Sequence, residues 1–269
     1  MPAIAMINHG ALPAVRITSI DGAEAIVTLY GAHLVSWKTA DGAERLFCSA
    51  LSAMDGSRAI RGGVPVIFPQ FAARGAGMRH GFARVSTWRL ADSGASEDGA
   101  FAAFALAPAD LAPAFAAAWP HTFALTLRMA LAGDTLSLTL DVLNNGAEAF
   151  AFSAALHTYF AVTDLGTVRI GGVQEEALQL ADKLDEIYFG IDGDMTLSHG
   201  GGTLTLAQQG FSDAVVWNPG AADTAALADM EQDEYLRFVC IEPALIDAAT
   251  LAVGGTWRGA HQVSAAAAA

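Results

Sequence analysis

Thr135-Leu136-Ser137-Leu138-Thr139-Leu140-Asp141-Val142-Leu143 is the stretch that decides the fold class. Leu136, Leu138 and Leu140 alternate with Ser137 and Thr139, the period-two pattern of a strand with one apolar and one wet face. Residues 121–132 precede it, and Gly133-Asp134 between the two runs has the chemistry of a tight turn. The pattern predicts a hairpin of 121–132 against 135–143.

Outward from this hairpin the same grammar repeats. Strands are predicted at 15–18 and 25–29 around Asp21-Gly22, then at 31–37, which ends at Asp41-Gly42. Further runs are 86–90 and 101–106 around a Ser/Gly/Asp loop, 150–160, and 168–170. Short runs at Leu197, Leu204 and Leu206 are split by Gly200-Gly201-Gly202, and Val215-Val216-Trp217 stops at Asn218-Pro219-Gly220. Residues 236–241 and 251–256 complete the strands; Glu242, just before Pro243, is expected at the end of the former. Helices are expected only at 109–118, ended by Trp119-Pro120, and at 221–230. Residues 182–194 are acidic and glycine-punctuated, with no strand assigned. Short strands with turns between them and no βαβ alternation predict an all-β antiparallel sandwich. No linker divides the chain, so one domain is expected over 1–264, with 265–269 a low-complexity alanine tail.

Composition narrows the partners. The 269 residues hold 14 Lys plus Arg against 28 Asp plus Glu, a net charge of −14. Nucleic acid and anionic membrane both demand a broad basic face, so neither is an expected partner. Residues 1–9 have no basic n-region, and the apolar window 100–119 is interrupted by Pro108, Asp110 and Pro113. Neither a secretory signal nor a membrane span is expected. Cys48 and Cys240 lack metal-ligand spacing and read as free thiols in a reducing cytoplasm.

Against this acidic background, Arg58, Arg61, Arg74, Arg79, Arg84 and Arg89 form a positive island, with no Asp or Glu between Gly56 and Ala91. Arg presents a planar donor fork suited to phosphate and carboxylate. Gly62-Gly63, Gly75, Gly77 and Gly81 permit positive φ or close approach to a ligand, and Pro65 and Pro69 stiffen the apolar segment between them. The competing interpretation is a solvated loop whose arginines pair with acidic surface elsewhere. His80, flanked by arginines in this rigid frame, favours a site. Two more polar residues stand inside apolar runs: His157 in Ala-Leu-His-Thr-Tyr-Phe, and Glu242 in Phe-Val-Cys-Ile-Glu-Pro-Ala. A buried carboxyl has its pKa raised, toward values useful to a general base. Core hydrogen bonding for His157 and an ion pair with Arg for Glu242 are the structural alternatives.

Arg61-Gly62-Gly63, Phe68-Pro69-Gln70-Phe71, His80-Gly81-Phe82-Ala83-Arg84, Trp119-Pro120-His121, Ala155-Leu156-His157-Thr158-Tyr159-Phe160, Val216-Trp217-Asn218-Pro219 and Cys240-Ile241-Glu242-Pro243 occur in this order. Together they resemble the hexose-6-phosphate mutarotase branch of the aldose 1-epimerase family. The resemblance implies a large twisted antiparallel β-sandwich of the galactose mutarotase-like kind. It also implies an isomerase that interconverts the anomers of a small sugar phosphate; no cofactor or metal is expected, and a cytoplasmic monomer is expected. Its implied catalytic pair is Glu242 as base and His157 as acid. His80 would lie near the ring oxygen, Arg61 and Arg84 would hold the anion, and Asp185 would bind a sugar hydroxyl. Glu186 departs from the family pattern, and Arg79 is an additional basic residue beside His80. Two other functions compete: a carbohydrate-binding sandwich without turnover, and a glycoside hydrolase or lyase using Asp185 with Glu242 across one bond.

Overall fold

The predicted hairpin forms from Phe123–Ala132 and Thr135–Asn144, antiparallel, with Leu131 opposite Leu136 and Leu127 opposite Leu140. Gly133 has φ of 58° in the turn, the left-handed region that favours glycine. Phe123, Leu125, Leu127, Met129 and Leu131 are buried on one face, as are Leu136, Leu138, Leu140 and Val142. Each such side chain contributes about 1.5–3 kcal/mol over leaving it in water. The pair lies inside a nine-stranded sheet, with Gly99–Leu106 and Arg89–Ser96 on one side and Thr256–Ala265 on the other.

The computed structural model describes residues 1–266. A four-stranded sheet holds Ala3–His9, Leu12–Thr18, Glu24–Thr28 and His33–Lys38 in chain order. A six-stranded sheet is centred on Phe238–Leu251, flanked by Asp213–Asn218 on one side and by Phe150–Leu156 and Tyr159–Ala161 on the other. One buried apolar cluster runs from Val15 to Val263 between these layers. The only α-helices among the described residues are Pro113–Ala118 and Gly220–Thr224. None is long and apolar enough to cross a membrane.

Several boundaries differ from the pattern-based expectation. The strand expected at 86–90 runs instead over Arg89–Ser96, through the supposed Ser/Gly/Asp loop. It is the outer strand of its sheet, so polar residues can face water from both sides of it. Leu184–Tyr188 is likewise an edge strand, paired with Asp213–Asn218, inside the acidic stretch assigned no strand. The helix expected over 221–230 ends at Thr224, and residues 225–230 deliver Asp229 to a cavity and Met230 to the core. Residues 251–256 are not a strand: Leu251 ends one, Thr256 begins the next, and Gly254 turns the chain between them. Glu242 does not close its strand either, since Phe238–Leu251 continues through Pro243. At the far end Ala265 still pairs with Leu204, while 267–269 of the expected tail lie outside the described residues.

Candidate active site

Pro243 in a central strand needs an explanation, because proline cannot donate to a sheet ladder. The neighbouring strand supplies it. Tyr159–Ala161 pairs with Phe238 to Cys240, and Phe150–Leu156 takes over at Ala244. Between them His157 and Thr158 have no register partner at the Glu242-Pro243 step: the Thr158 carbonyl still accepts the Ile241 N–H at 3.2 Å, and the His157 N–H donates to the Pro65 carbonyl instead. This break turns His157 across to Glu242: Nδ1 lies 3.2 Å from Oε1. Exposure is 8% for His157 and 1% for Glu242. The contact has ion-pair length, but His157 Nδ1 and Glu242 Oε2 make no hydrogen bond.

These two residues form the floor of a cavity of about 430 Å³, with His80, Arg61, Arg79, Arg84 and Asp185 also in its lining. Every candidate site residue inferred from the sequence therefore lies in one place. The glycines hold the wall that carries them. Gly63 has φ of 60°, and a Cβ there would collide with the Leu34 carbonyl. Gly81 has φ of 67°, and a Cβ there would strike the Phe68 carbonyl. The buried ring of His33 bonds the Gly62 carbonyl at 2.7 Å, fixing the same wall from behind.

Electrostatics separates the floor from its surroundings. Burial, then the charge of Asp185, pushes the Glu242 carboxyl well above its ordinary pKa. Burial, then His80, Arg84 and Arg61, pushes His157 well below the usual histidine value. Both groups are driven toward their neutral forms. His80 is lowered to about 3, by burial first and then by Arg84, Arg79 and Arg61. Its Nδ1 accepts the Ala72 N–H at 3.3 Å. The neutral ring therefore carries its proton on Nε2 and is a donor.

The arginine island divides into two populations. Arg74 sits 4.0 Å from Asp247 and Arg89 3.0 Å from Asp110, both on the surface. Arg58 is exposed and reaches the Leu51 carbonyl. These three follow the solvated-loop interpretation. Arg61 turns inward but is not a free cation: Nη2 pairs with Asp229 at 3.3 Å and Nη1 donates to Tyr159 Oη at 3.2 Å. Arg84 donates to the Arg79 carbonyl at 3.1 Å, and its Nε is buried without a partner. Among the described residues neither Arg79 nor Arg84 has a carboxylate within ion-pair distance.

Sequence reasoning missed three residues of the cavity. Tyr159 stacks on His157, ring centroids 4.9 Å apart and planes 11° from parallel. Trp217 meets the same imidazole edge-on at 5.9 Å. Asp229 holds Arg61. Tyr159 and Trp217 stood in quoted motifs, but nothing in Ala-Leu-Ala-Asp-Met marked Asp229. Absence of metal-ligand spacing was also incomplete as a guide, because His157, Cys240 and Glu242 converge in space.

Comparison with known proteins supplies the lineage. The family profile described as aldose 1-epimerase matches residues 13–190. A protein of Cenchrus ciliaris named "Putative glucose-6-phosphate 1-epimerase" is 32% identical over 268 residues, covering 89% of this chain and 80% of its own. One of the same name from Escherichia coli strain K12 is 32% identical over 244 residues, 82% of this chain and 79% of its own. Among solved structures, a Salmonella typhimurium protein described as "a putative mutarotase (YeaD)" superposes with a TM-score of 0.88 at 27% identity. That match covers 99% of this chain and 94% of that one. A galactose mutarotase-like protein of Clostridium acetobutylicum shares the fold at a TM-score of 0.77 and 16% identity, with 98% of each chain covered. The profile and the relatives agree across most of the sequence, and the chain belongs to the aldose 1-epimerase family.

Proposed function

We propose that this isomerase interconverts the α and β anomers of a hexose 6-phosphate, with Glu242 and His157 as its proton carriers. The observation that carries the reading is the meeting of these two side chains at 3.2 Å on the floor of a cavity whose rim holds Arg79 and Arg84. The names of the relatives in Cenchrus ciliaris and Escherichia coli support the substrate.

Mutarotation needs one proton removed and one supplied. Glu242 takes the proton of the anomeric hydroxyl while His157 gives one to the ring oxygen, so the C1–O5 bond breaks. The carbonyl group rotates, and reclosure with the proton movements reversed delivers the other anomer. No electrons or groups are exchanged with a second molecule, so a paired acid and base suffices. His80, a neutral donor, is placed to hydrogen-bond a sugar oxygen, and Asp185 at the mouth to accept from a hydroxyl. Arg79 and Arg84 bind the phosphate, and Arg61 contributes through a charge already shared with Asp229.

Burial bears directly on the proton inventory. A floor that disfavours both ionised Glu242 and protonated His157 rests with its single proton on the carboxyl. The working form has that proton on the imidazole, and the two side chains stand 3.2 Å apart, so a small turn of either brings them into line for the transfer. Tyr159, stacked on the imidazole, limits how far the ring can turn away.

Polarimetry on freshly dissolved glucose 6-phosphate, galactose 6-phosphate and free glucose tests the assignment. The expected result is accelerated mutarotation of a phosphorylated sugar, at a KM well below that of the free hexose. No acceleration of any of them would reject the function, and equal KM values would reject the phosphate.

A further inference from the structure

Cys240 and Glu242 lie two residues apart on one strand, so their side chains leave the same face. The interrupted neighbouring strand carries His157 across to that face. One donor atom from each of His157, Cys240 and Glu242 lies within 4.8 Å of the other two. The His157 Nδ1 and Glu242 Oε2 atoms are buried with no hydrogen-bond partner. Polar atoms left in this state gain most from an added ligand.

Imidazole, thiolate and carboxylate are together a zinc donor set, and three protein ligands with a water complete an open tetrahedral site. Tetrahedral bonds of about 2.0–2.3 Å place ligand atoms about 3.3–3.7 Å apart. That is close to the 3.2 Å between His157 Nδ1 and Glu242 Oε1, so the Cys240 sulfur is the donor that must move inward, by roughly 1 Å. One thiolate and one carboxylate balance a divalent charge, so the loaded site carries no net charge and suits its burial. We propose that His157, Cys240 and Glu242 capture zinc and other thiophilic divalent cations, and that capture inhibits the enzyme. On binding, the Cys240 thiol gives its proton to solvent, as does Glu242 if protonated, and only coordination bonds form. A carboxylate and an imidazole held by metal cannot carry protons. The inhibitory half of the inference rests on the acid–base function proposed above; the binding half does not.

Two readouts test it. After treatment with a chelator, wild type and Cys240→Ala are assayed by polarimetry with increasing Zn²⁺. Each is also titrated with Co²⁺ and observed for a thiolate-to-cobalt charge-transfer band, which requires no turnover. Zinc is expected to slow wild type at least about tenfold, reversibly with chelator, because it occupies both proton carriers. Cys240→Ala should keep its metal-free activity and resist the same zinc. The cobalt band should appear in wild type and in Cys48→Ala and be absent from Cys240→Ala. Cys240→Ser, with a poor zinc ligand of similar size, replaces the alanine variant if that one does not fold. Equal zinc sensitivity with and without Cys240, or a wild-type cobalt spectrum lacking the thiolate band, overturns the inference.

Discussion

The floor and the rim of the cavity are built on opposite principles. Glu242, on the central strand of the six-stranded sheet, and His157, in the break between two strands beside it, sit almost wholly out of water, where burial drives both toward neutrality. Arg79 is exposed, on a glycine-rich loop, and Arg84 lies in the short turn after Gly81. A guanidinium remains charged under almost any conditions, so a rim of arginines can recognise an anion without tuning. A proton carrier is useful only if its affinity for protons can be shifted, and burial is what shifts it. Chemistry should therefore fail when the floor is altered, and substrate selection when the rim is.

The largest effects are expected at the floor. Glu242→Gln and His157→Ala should each lower kcat by about 10²-fold or more, the typical contribution of a general acid or base. Thermal melts should show that both variants still fold. The pH dependence of kcat/KM should be bell-shaped. On the acid side the pair takes up a second proton and Glu242 can no longer act as base. On the alkaline side it loses its last proton and His157 has none to give. Because Glu242 is raised and His157 lowered, the two limbs belong to the pair and not to either residue. A flat profile across the range would remove the acid–base assignment.

At the rim the expected effects are smaller and fall on KM. An Arg–phosphate contact of about 1.5–3 kcal/mol predicts that Arg84→Ala raises KM for the phosphorylated sugar about 10- to 100-fold. Arg84→Lys should recover only part, since a point charge does not reproduce the fork. Arg61→Ala should cost less than Arg84→Ala, because Asp229 already offsets the Arg61 charge. The smallest effect is expected from Asp229→Asn. Removing this carboxylate leaves Arg61 a freer cation, so KM for the phosphorylated sugar should fall by about two- to fivefold while that for free hexose stays unchanged. A rise in KM would mean that Asp229 serves mainly to hold Arg61 in place.

Legibility from sequence followed the same division. The Leu136/Leu138/Leu140 alternation located the hairpin to within two residues, because a strand with one wet face writes its period into the chain. Edge strands did not announce themselves. Arg89–Ser96 and Leu184–Tyr188 present polar residues to water on both sides and so lose the alternation. His157 and Glu242 were conspicuous as polar residues in apolar runs, yet their distance apart and the break that joins them depend on strand pairing. Asp229 was invisible, since its partner Arg61 lies far away in the sequence and only the fold brings them together.

The separation of floor from rim is tested most directly by kcat and KM of Glu242→Gln and Arg84→Ala side by side, using anomer-resolved NMR exchange on a hexose 6-phosphate. Glu242→Gln should lose turnover at nearly unchanged KM, and Arg84→Ala should lose affinity at nearly unchanged kcat. If Arg84→Ala lowers kcat as far as Glu242→Gln does, or Glu242→Gln turns over like wild type, floor and rim do not divide the work in this way.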